Sequence, residues 1–101
     1  MKHRIDLQNK LEEILGSRNV YFQPPTGFKL KYPCIIYEYS RLNKTNADNK
    51  VYLKNDQYLI TIIDKDPESE IIDKVAELPM CSFDRHFTNE GLYHTTFSIY
   101  Y

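Results

Sequence analysis

The sequence predicts an α+β domain in which two amphipathic helices pack on one face of a mostly antiparallel sheet. Two stretches carry apolar residues at helical spacing, and several short stretches are rich in β-branched and aromatic residues, as strands are. The predicted order is α-β-β-β-α-β-β. The chain has 101 residues, of which 42% are hydrophobic and 27% charged. This length and composition predict one globular domain over residues 1–101.

The first element is predicted to be a helix that ends at Gly16. Its apolar positions follow the i, i+4, i+7, i+8 spacing that places them on one face: Leu7, Leu11, Ile14 and Leu15. Glycine commonly ends a helix in the left-handed conformation. A short extended segment is predicted over 20–22, and a loop with two prolines over 23–27.

The middle of the chain contains the clearest strands. Cys34 to Tyr39 is short, β-branched and aromatic, and Gln57 to Asp64 alternates so that Tyr58, Ile60 and Ile62 share one face. Residues 40–50 are polar and show no periodicity, which predicts a long mobile loop. A brief strand over 51–53 is compatible with the sequence after that loop.

A second helix is predicted to begin around Asp66. The Asp66 carboxylate suits the cap position and Pro67 suits the first helical position, while Pro79 ends the element. Its apolar stripe is Ile71, Ile72, Val75 and Leu78. Strands over 80–87 and 92–101 are predicted to follow, joined by a turn over 88–91.

Composition and charge exclude several classes of protein. The 13 basic and 14 acidic residues leave a net charge of −1, which does not fit a strongly basic nucleic-acid binder. No apolar run approaches the roughly 20 residues that span a bilayer, so no membrane association is expected. The polar N-terminus does not resemble a signal peptide. Cys34 and Cys81 are interpreted as buried free thiols of a reducing cytoplasm, with a disulfide between them as the alternative.

Candidate catalytic and metal-binding groups are sparse. An acidic cluster lies at the predicted start of the second helix: Asp64, Asp66, Glu68, Glu70 and Asp73. It lacks the glycine and terminal glutamate of a calcium loop, and the helix dipole accounts for Asp66, Glu68 and Glu70 without a metal. His86 and His94 flank the last turn and could face each other across a hairpin. Ordinary strand hydrogen bonds are the simpler interpretation. No enzyme activity, metal or cofactor is predicted.

The surface offers a different kind of function. The chain has nine tyrosines and no tryptophan, and tyrosine is common both in strands and at protein interfaces. Two short helices cover only one sheet face, so apolar residues on the other face would point to a partner or to self-association. The alternative, a monomer whose tyrosines complete a small core, is equally compatible with the composition.

Four segments, in order, resemble small tail-completion proteins of siphophages and of prophages in Gram-positive bacteria. They are Tyr32 to Glu38, the polar loop that ends at Asn46 to Lys50, Tyr58 to Pro67, and Cys81 to Phe87 with the β-rich terminus that follows. The resemblance covers nearly the whole chain, but its motifs are structural rather than catalytic.

The resemblance implies a non-enzymatic tail-terminator or head–tail joining protein of the virion, assembled in the host cytoplasm. Such a protein would form a ring, commonly a hexamer, that caps the tail tube and docks to the head connector. DNA would only pass through it as cargo.

A head-to-tail ring needs two different complementary patches on each subunit. The exposed sheet face with its tyrosines is the expected first patch, and the polar loop the second. The predicted interface residues are Thr45, Asn46, Ala47, Asp48, Asn49, Lys50, Tyr52, Asp84 and Arg85. Asp84 and Arg85 are expected to pair across the subunit boundary, where a planar guanidinium suits a carboxylate. Deletion of residues 45–49 is expected to leave a folded protein that cannot assemble.

Three alternatives stay open at this stage. A head-completion or neck protein of the same virion would have a similar size and lack of catalytic residues. An interaction module of a bacterial complex outside any virion would share the fold, charge and tyrosines. A small metal-dependent hydrolase using Asp64, Asp66 and His86 is the least favoured of the three.

Overall fold

The computed structural model describes residues 2–41 and 57–101. In chain order the elements are α1 (Lys2–Leu15), β1 (Val20–Phe22), β2 (Cys34–Arg41), β3 (Gln57–Asp64), α2 (Glu70–Ala76), β4 (Cys81–Asn89) and β5 (Leu92–Tyr100). Two helices and five strands in this order confirm the predicted α+β class. Strand β2 extends two residues further than predicted. The predicted loop beyond Arg41 and the brief strand over 51–53 lie outside the described residues.

The five strands form one sheet in the order β1-β2-β3-β5-β4. Strand β1 runs parallel to β2, and the other three pairings are antiparallel. This arrangement confirms the mostly antiparallel sheet. It also makes β1 and β4 the two edges, because the connection from β3 through α2 to β4 passes over β5.

Both helices pack on the same sheet face. On β3, Tyr58, Ile60 and Ile62 are buried and share one face, as side chains two residues apart do. Their cross-strand neighbours on β2 and β5 complete the same layer. The core formed with the helices consists of Leu7, Leu11, Val20, Ile35, Tyr37, Tyr58, Ile60, Ile62, Val75, Leu78, Phe97 and Ile99.

Helix α1 ends as the sequence predicts. Gly16 has a φ of +80°, and its N–H donates to the carbonyl of Glu12 at 2.9 Å. A side chain at this φ would be strained, which explains the glycine. Leu7 and Leu11, one turn apart, are fully buried on the face turned to the sheet.

Helix α2 begins three residues later than predicted. Its cap is Ser69, whose hydroxyl accepts the N–H of Ile71 at 3.2 Å. The Asp66 carboxylate instead accepts the N–H of Glu68 at 2.9 Å. A short acidic side chain can bind a nearby backbone amide outside a helix, and here that local turn takes the place of the first helical turn. The helix ends at Ala76, ahead of Pro79.

The β4–β5 hairpin has a tighter turn than predicted. Thr88 and Asn89 belong to β4 and pair with Tyr93 and Leu92, so only two residues form the turn. These are Glu90 and Gly91, with φ values of 53° and 77°. Two successive positive φ angles characterise the type I′ turn, which matches the twist of the strands it joins.

The prediction that tyrosines line the exposed face of the sheet is wrong for the tyrosines of β2 and β3. Tyr37 and Tyr58 are fully buried beneath the helices, and Tyr39 packs against the same core. The Tyr37 hydroxyl donates to Gln8 Oε1 and accepts from Arg4 Nη1 at 3.3 Å, both on α1. Burial raises the pKa of Tyr37. Much of the tyrosine content therefore builds the core rather than an interface.

Candidate protein–protein interface

The structure places two of the predicted interface residues. Asp84 and Arg85 lie on β4, an edge strand whose residues from Ser82 to Asn89 are all exposed. The remaining predicted interface residues, 45–50 and Tyr52, lie outside the described residues. The candidate surface within the described residues consists of β4 and the elements beside it.

Asp84 and Arg85 form a β-bulge. Phe83 pairs with Phe97 and Arg85 pairs with Thr96, so Asp84 is an extra residue in the strand. The Thr96 hydroxyl donates to Asp84 Oδ2 at 2.9 Å and accepts the Arg85 N–H at 3.1 Å. Both bulge residues thus lie against one threonine, on the sheet face opposite the helices. Bulges at sheet edges commonly re-aim side chains in this way.

The Arg85 guanidinium lies over an aromatic ring rather than beside Asp84. Its central carbon is 5.3 Å from the centroid of Phe87. Phe87 in turn stacks on His94, with centroids 4.9 Å apart and an interplanar angle of 17°. The cation–π contact holds a planar donor on the open sheet face, where a carboxylate from another molecule could bind it in two-point fashion.

The two strand histidines do not face each other. In the bulged register His86 lies opposite Thr95, and Phe87 lies opposite His94. His86 and His94 therefore occupy opposite faces of the sheet. His86 Nδ1 is 2.8 Å from the Thr95 hydroxyl oxygen, and His94 Nδ1 is 3.2 Å from the Leu92 carbonyl oxygen. The register that the two-residue turn sets therefore leaves no facing pair, and both rings make ordinary hydrogen bonds, which is the simpler interpretation of the sequence.

The acidic residues before α2 are used as local caps. Asp64 Oδ1 accepts the N–H of Asp66 at 3.1 Å, and Asp66 accepts that of Glu68. Over residues 2–41 and 57–101, no three His, Cys, Asp or Glu side chains are grouped so that they could hold a metal ion. Asp64 and Asp66 therefore act as hydrogen-bond acceptors within a turn.

Neither thiol has the character of a nucleophile. Cys34 and Cys81 are both free, the first buried and the second half-buried. Burial and, to a smaller extent, the charge of Asp64 raise the pKa of Cys34 to about 12. Burial also raises the pKa of Cys81. Reactive cysteines need a lowered pKa and exposure to solvent, so thiolate chemistry has no support at either position.

Sequence reasoning missed the residues that expose the most apolar surface. In the part of the chain that the structure describes, the exposed large hydrophobic side chains are Ile5, Phe28, Tyr32, Met80, Phe83 and Phe87. Met80 and Phe83 are each 63% exposed. The predicted strand over 80–87 contained both, but strand periodicity alone does not reveal that this strand lies at the sheet edge. The alternation of Phe28, Lys29, Leu30, Lys31 and Tyr32 is typical of a strand, but the structure forms none there, so this pattern did not reveal the exposed Phe28 and Tyr32 either.

Comparisons with known proteins identify no relative. No family model, curated protein or solved structure matches this chain. Within the described residues, neither helix has the length and apolar character that crossing a bilayer requires. The surface itself exposes aromatic side chains on both faces of β4, Phe83 on one face and Phe87 on the other.

Proposed function

We propose that this protein is a non-enzymatic structural subunit of a phage virion, which caps the tail tube and joins it to the head connector as a ring. The observation that carries the proposal is β4, where Phe83 and Phe87 are exposed on opposite faces of one edge strand. Exposed apolar clusters on a small protein mark interaction sites. The resemblance of four chain segments to phage tail-completion proteins supplies the virion context.

The chemistry of the described residues supports an assembly role over catalysis. Both thiols have raised pKa values, and the histidines on β4 and β5 lie on opposite sheet faces. The carboxylates before α2 are engaged as turn acceptors. By contrast, within residues 2–41 and 57–101 the sheet has one face on which no helix packs, and β1 and β4 are its edges. An interface with other protein subunits uses such surfaces directly.

The oligomeric state tests the proposal. Native mass spectrometry of the purified protein across a concentration series, with negative-stain images of the same samples, is expected to show closed rings of one fixed size, commonly six copies. A protein that stays monomeric at every concentration and leaves purified tail tubes unbound would contradict the proposal. Binding to tail tubes rather than to the head connector would distinguish tail termination from head completion.

The predicted pairing of Asp84 with Arg85 of a neighbouring subunit stays a prediction and can be tested by charge exchange. Reversal at either position should weaken the ring, and the double reversal should partly restore it. Because Asp84 also accepts a hydrogen bond from Thr96, Asp84→Asn serves as the control that removes the charge with little change of shape. Additive effects of the two reversals would contradict the pairing.

A further inference from the structure

The outer edge of β4 is not paired with another strand of the described residues. Within residues 2–41 and 57–101, β4 pairs with β5 alone. Tyr100 of β5 donates its N–H to the Met80 carbonyl at 3.2 Å. The Arg85 N–H points at Thr96 of β5, whose hydroxyl it reaches at 3.1 Å. Residues that bond a given neighbour alternate along an antiparallel strand, so the even-numbered residues of β5 are those that bond β4.

This alternation determines the direction of the backbone groups of β4. Arg85, Phe87 and Asn89 lie opposite even-numbered residues of β5, so their N–H and carbonyl groups point into the sheet. His86 and Thr88 lie opposite odd-numbered residues, so their groups point outward. Two N–H donors and two carbonyl acceptors therefore face outward at this edge, where another strand can bond them.

The regular part of this edge is symmetric about Phe87. It begins after the bulge and ends before the two-residue turn, so it comprises residues 85–89. A two-fold axis through Phe87 exchanges His86 with Thr88, the two residues whose backbone groups point outward. Antiparallel pairing of this segment with a second copy of itself therefore matches every outward donor with an outward acceptor.

The other edge of the sheet is occupied by a helix side chain. On β1, the Asn19 carbonyl and the Gln23 N–H bond β2, so Val20 between them is an outward residue. Its carbonyl accepts Gln8 Nε2 of α1 at 3.0 Å. Strand β1 is also only three residues long. Among copies of this chain, the sheet therefore continues only where β4 pairs with β4.

We propose that two copies of this chain pair through β4, antiparallel about a two-fold axis at Phe87, so that their two five-stranded sheets become one. His86 of each copy exchanges both backbone hydrogen bonds with Thr88 of the other. Arg85 of each copy lies opposite Asn89 of the other. Such a contact closes at two copies. It therefore goes beyond the proposed ring and does not depend on it.

The side chains of the segment fit a second copy as the occupant. Phe87 stacks on His94 with centroids 4.9 Å apart, so pairing of Phe87 with its own copy produces a continuous row of four rings. The guanidinium of Arg85 faces an amide oxygen on Asn89 of the second copy. The two Arg85 positions are roughly 14 Å apart along the strands. No like charges are directly opposed, which is the condition for stable cross-strand pairs.

The bulge and the turn select one register. An axis at His86 would bring the bulge residue Asp84 into the ladder, and an axis at Thr88 would bring in the turn residue Glu90. Only the axis at Phe87 uses the regular segment alone. Residues 85–89 also contain no lysine and no proline, the residues with which exposed sheet edges are usually protected from pairing.

Cysteine cross-linking tests the register. At position 87 the two copies form a non-hydrogen-bonded pair with Cα atoms about 4.5 Å apart, a distance that a disulfide spans. Phe87→Cys is therefore expected to give a linked dimer on air oxidation. Asn89→Cys is the matched control and should stay unlinked, but it should link to Arg85→Cys when the two variants are mixed. Wild-type protein, which has Cys34 and Cys81, measures the background.

Charge changes at Asn89 test the pairing without a covalent bond. Asn89→Asp places a carboxylate opposite Arg85 twice in each dimer and is expected to lower the dissociation constant by about fivefold in native mass spectrometry. Asn89→Lys is expected to raise it by a similar factor, and the further change Arg85→Glu should restore it. All these positions are exposed, and circular dichroism checks that each variant is folded.

The failures of the two proposals are distinguishable. The edge pairing is wrong if Phe87→Cys links no better than Asn89→Cys, if the mixture does not link, or if the aspartate and lysine variants dissociate equally. Rings of wild-type protein together with any of these results would leave ring assembly standing. Register-specific linking without rings would contradict ring assembly and support the edge pairing. Protein that stays monomeric at every concentration, with no linking at position 87, would contradict both.

Discussion

Two phenylalanines on neighbouring strands have opposite environments. Phe97 on β5 and Phe83 on β4 are directly opposed in the antiparallel register, and their rings touch edge to face with centroids 5.9 Å apart. Nevertheless Phe97 is 1% exposed and Phe83 is 63% exposed. The two residues have the same side chain, pair with each other and lie on the same sheet face. None of these properties therefore decides which of the two side chains is buried.

The difference comes from position in the sheet. Strand β5 lies between β3 and β4, so Phe97 has aliphatic neighbours on one side and belongs to the core that the helices cover. Among the described residues, strand β4 has a neighbouring strand on one side only, and its contacts with that core come from its beginning, where Cys81 packs on the core and Phe83 touches Phe97. Phe97 therefore contributes its full side chain to the core, whereas Phe83 leaves most of its ring exposed.

The largest expected effect compares these two phenylalanines. Phe97→Ala should lower the free energy of unfolding by roughly 3–5 kcal/mol, because it leaves a cavity in the core. Phe83→Ala should lower it by only about 1 kcal/mol, the size of one exposed aromatic contact. Urea unfolding at a fixed protein concentration measures both. Phe87→Ala, on the same strand but on the opposite sheet face, is the matched control for Phe83→Ala and should behave similarly.

Equal losses of stability for Phe83→Ala and Phe97→Ala would contradict the comparison. Such a result would mean that β4 is covered in the folded monomer and that Phe83 is part of the core. The same measurement at high and low protein concentration separates monomer stability from any contribution of assembly, since association stabilises the folded state by mass action.

The two cysteines allow the same comparison of an interior strand with the edge strand to be made through the pH dependence of stability. Cys34 on β2 keeps its proton to about pH 12 in the folded protein, against a usual value of 9.0. A pKa raised by folding contributes stability that is complete below pH 9 and is lost as the pH rises toward 12. The loss should reach on the order of a few kcal/mol, since one pKa unit corresponds to about 1.4 kcal/mol. Unfolding at pH 8, 9, 10 and 11 should therefore show a steeper decline for wild-type protein than for Cys34→Ala.

Cys81→Ala is the control for the pH experiment. Cys81 is half-buried beside the β4 edge, and burial raises its pKa as well. Because it is less buried, its removal should flatten the alkaline decline less than removal of Cys34. A decline that is unchanged in Cys34→Ala would show that other groups, such as the Tyr37 hydroxyl, dominate the alkaline response.

The fold could be predicted from the sequence because its signals are local. The spacing of Leu7 and Leu11 and the position of Gly16 specify α1, and alternation specifies β3. The start of α2 could not be predicted correctly, because Asp66 and Ser69 are both suitable caps. The choice between them depends on the turn that Asp66 forms with Glu68 and on the burial of Ser69, which are properties of the folded chain.

The candidate interface was less predictable, because it depends on strand order. The sequence predicts Asp84 and Arg85 as interface residues, but the bulge that they form beside Thr96 follows only from the strand register. The exposure of Met80 and Phe83 follows from the placement of β4 at the sheet edge. Sequence neighbours do not reveal this placement, since β4 precedes β5 in the chain but lies outside it in the sheet.

A smaller loss of stability is expected from substitutions at the start of α2, the helix that helps to cover the core. Ser69→Ala should lower the free energy of unfolding by about 1 kcal/mol, because the N–H of Ile71 loses its acceptor at the cap. Asp66→Ala should cost less, since Asp66 binds the amide of Glu68 in an exposed turn. Chemical denaturation of the two variants side by side measures the difference. The reverse ranking would place the cap at Asp66, as the sequence alone predicts.

The smallest expected effect concerns the tip of the exposed hairpin. Glu90 adopts a φ of 53° in a two-residue turn with Gly91, and Asn is the preferred residue at this position of a type I′ turn. Glu90→Asn should therefore raise the free energy of unfolding by about 0.5 kcal/mol, because left-handed backbone is less strained for asparagine. Glu77→Asn, at an exposed position with right-handed φ, is the control and should not be stabilising. If the gain at Glu90 appears in the unfolding free energy, the exposed β4–β5 hairpin unfolds together with the core. If Glu90→Asn instead protects only the hairpin amides from hydrogen exchange, the edge region opens independently of the core, and the contrast between the two phenylalanines extends from burial to dynamics.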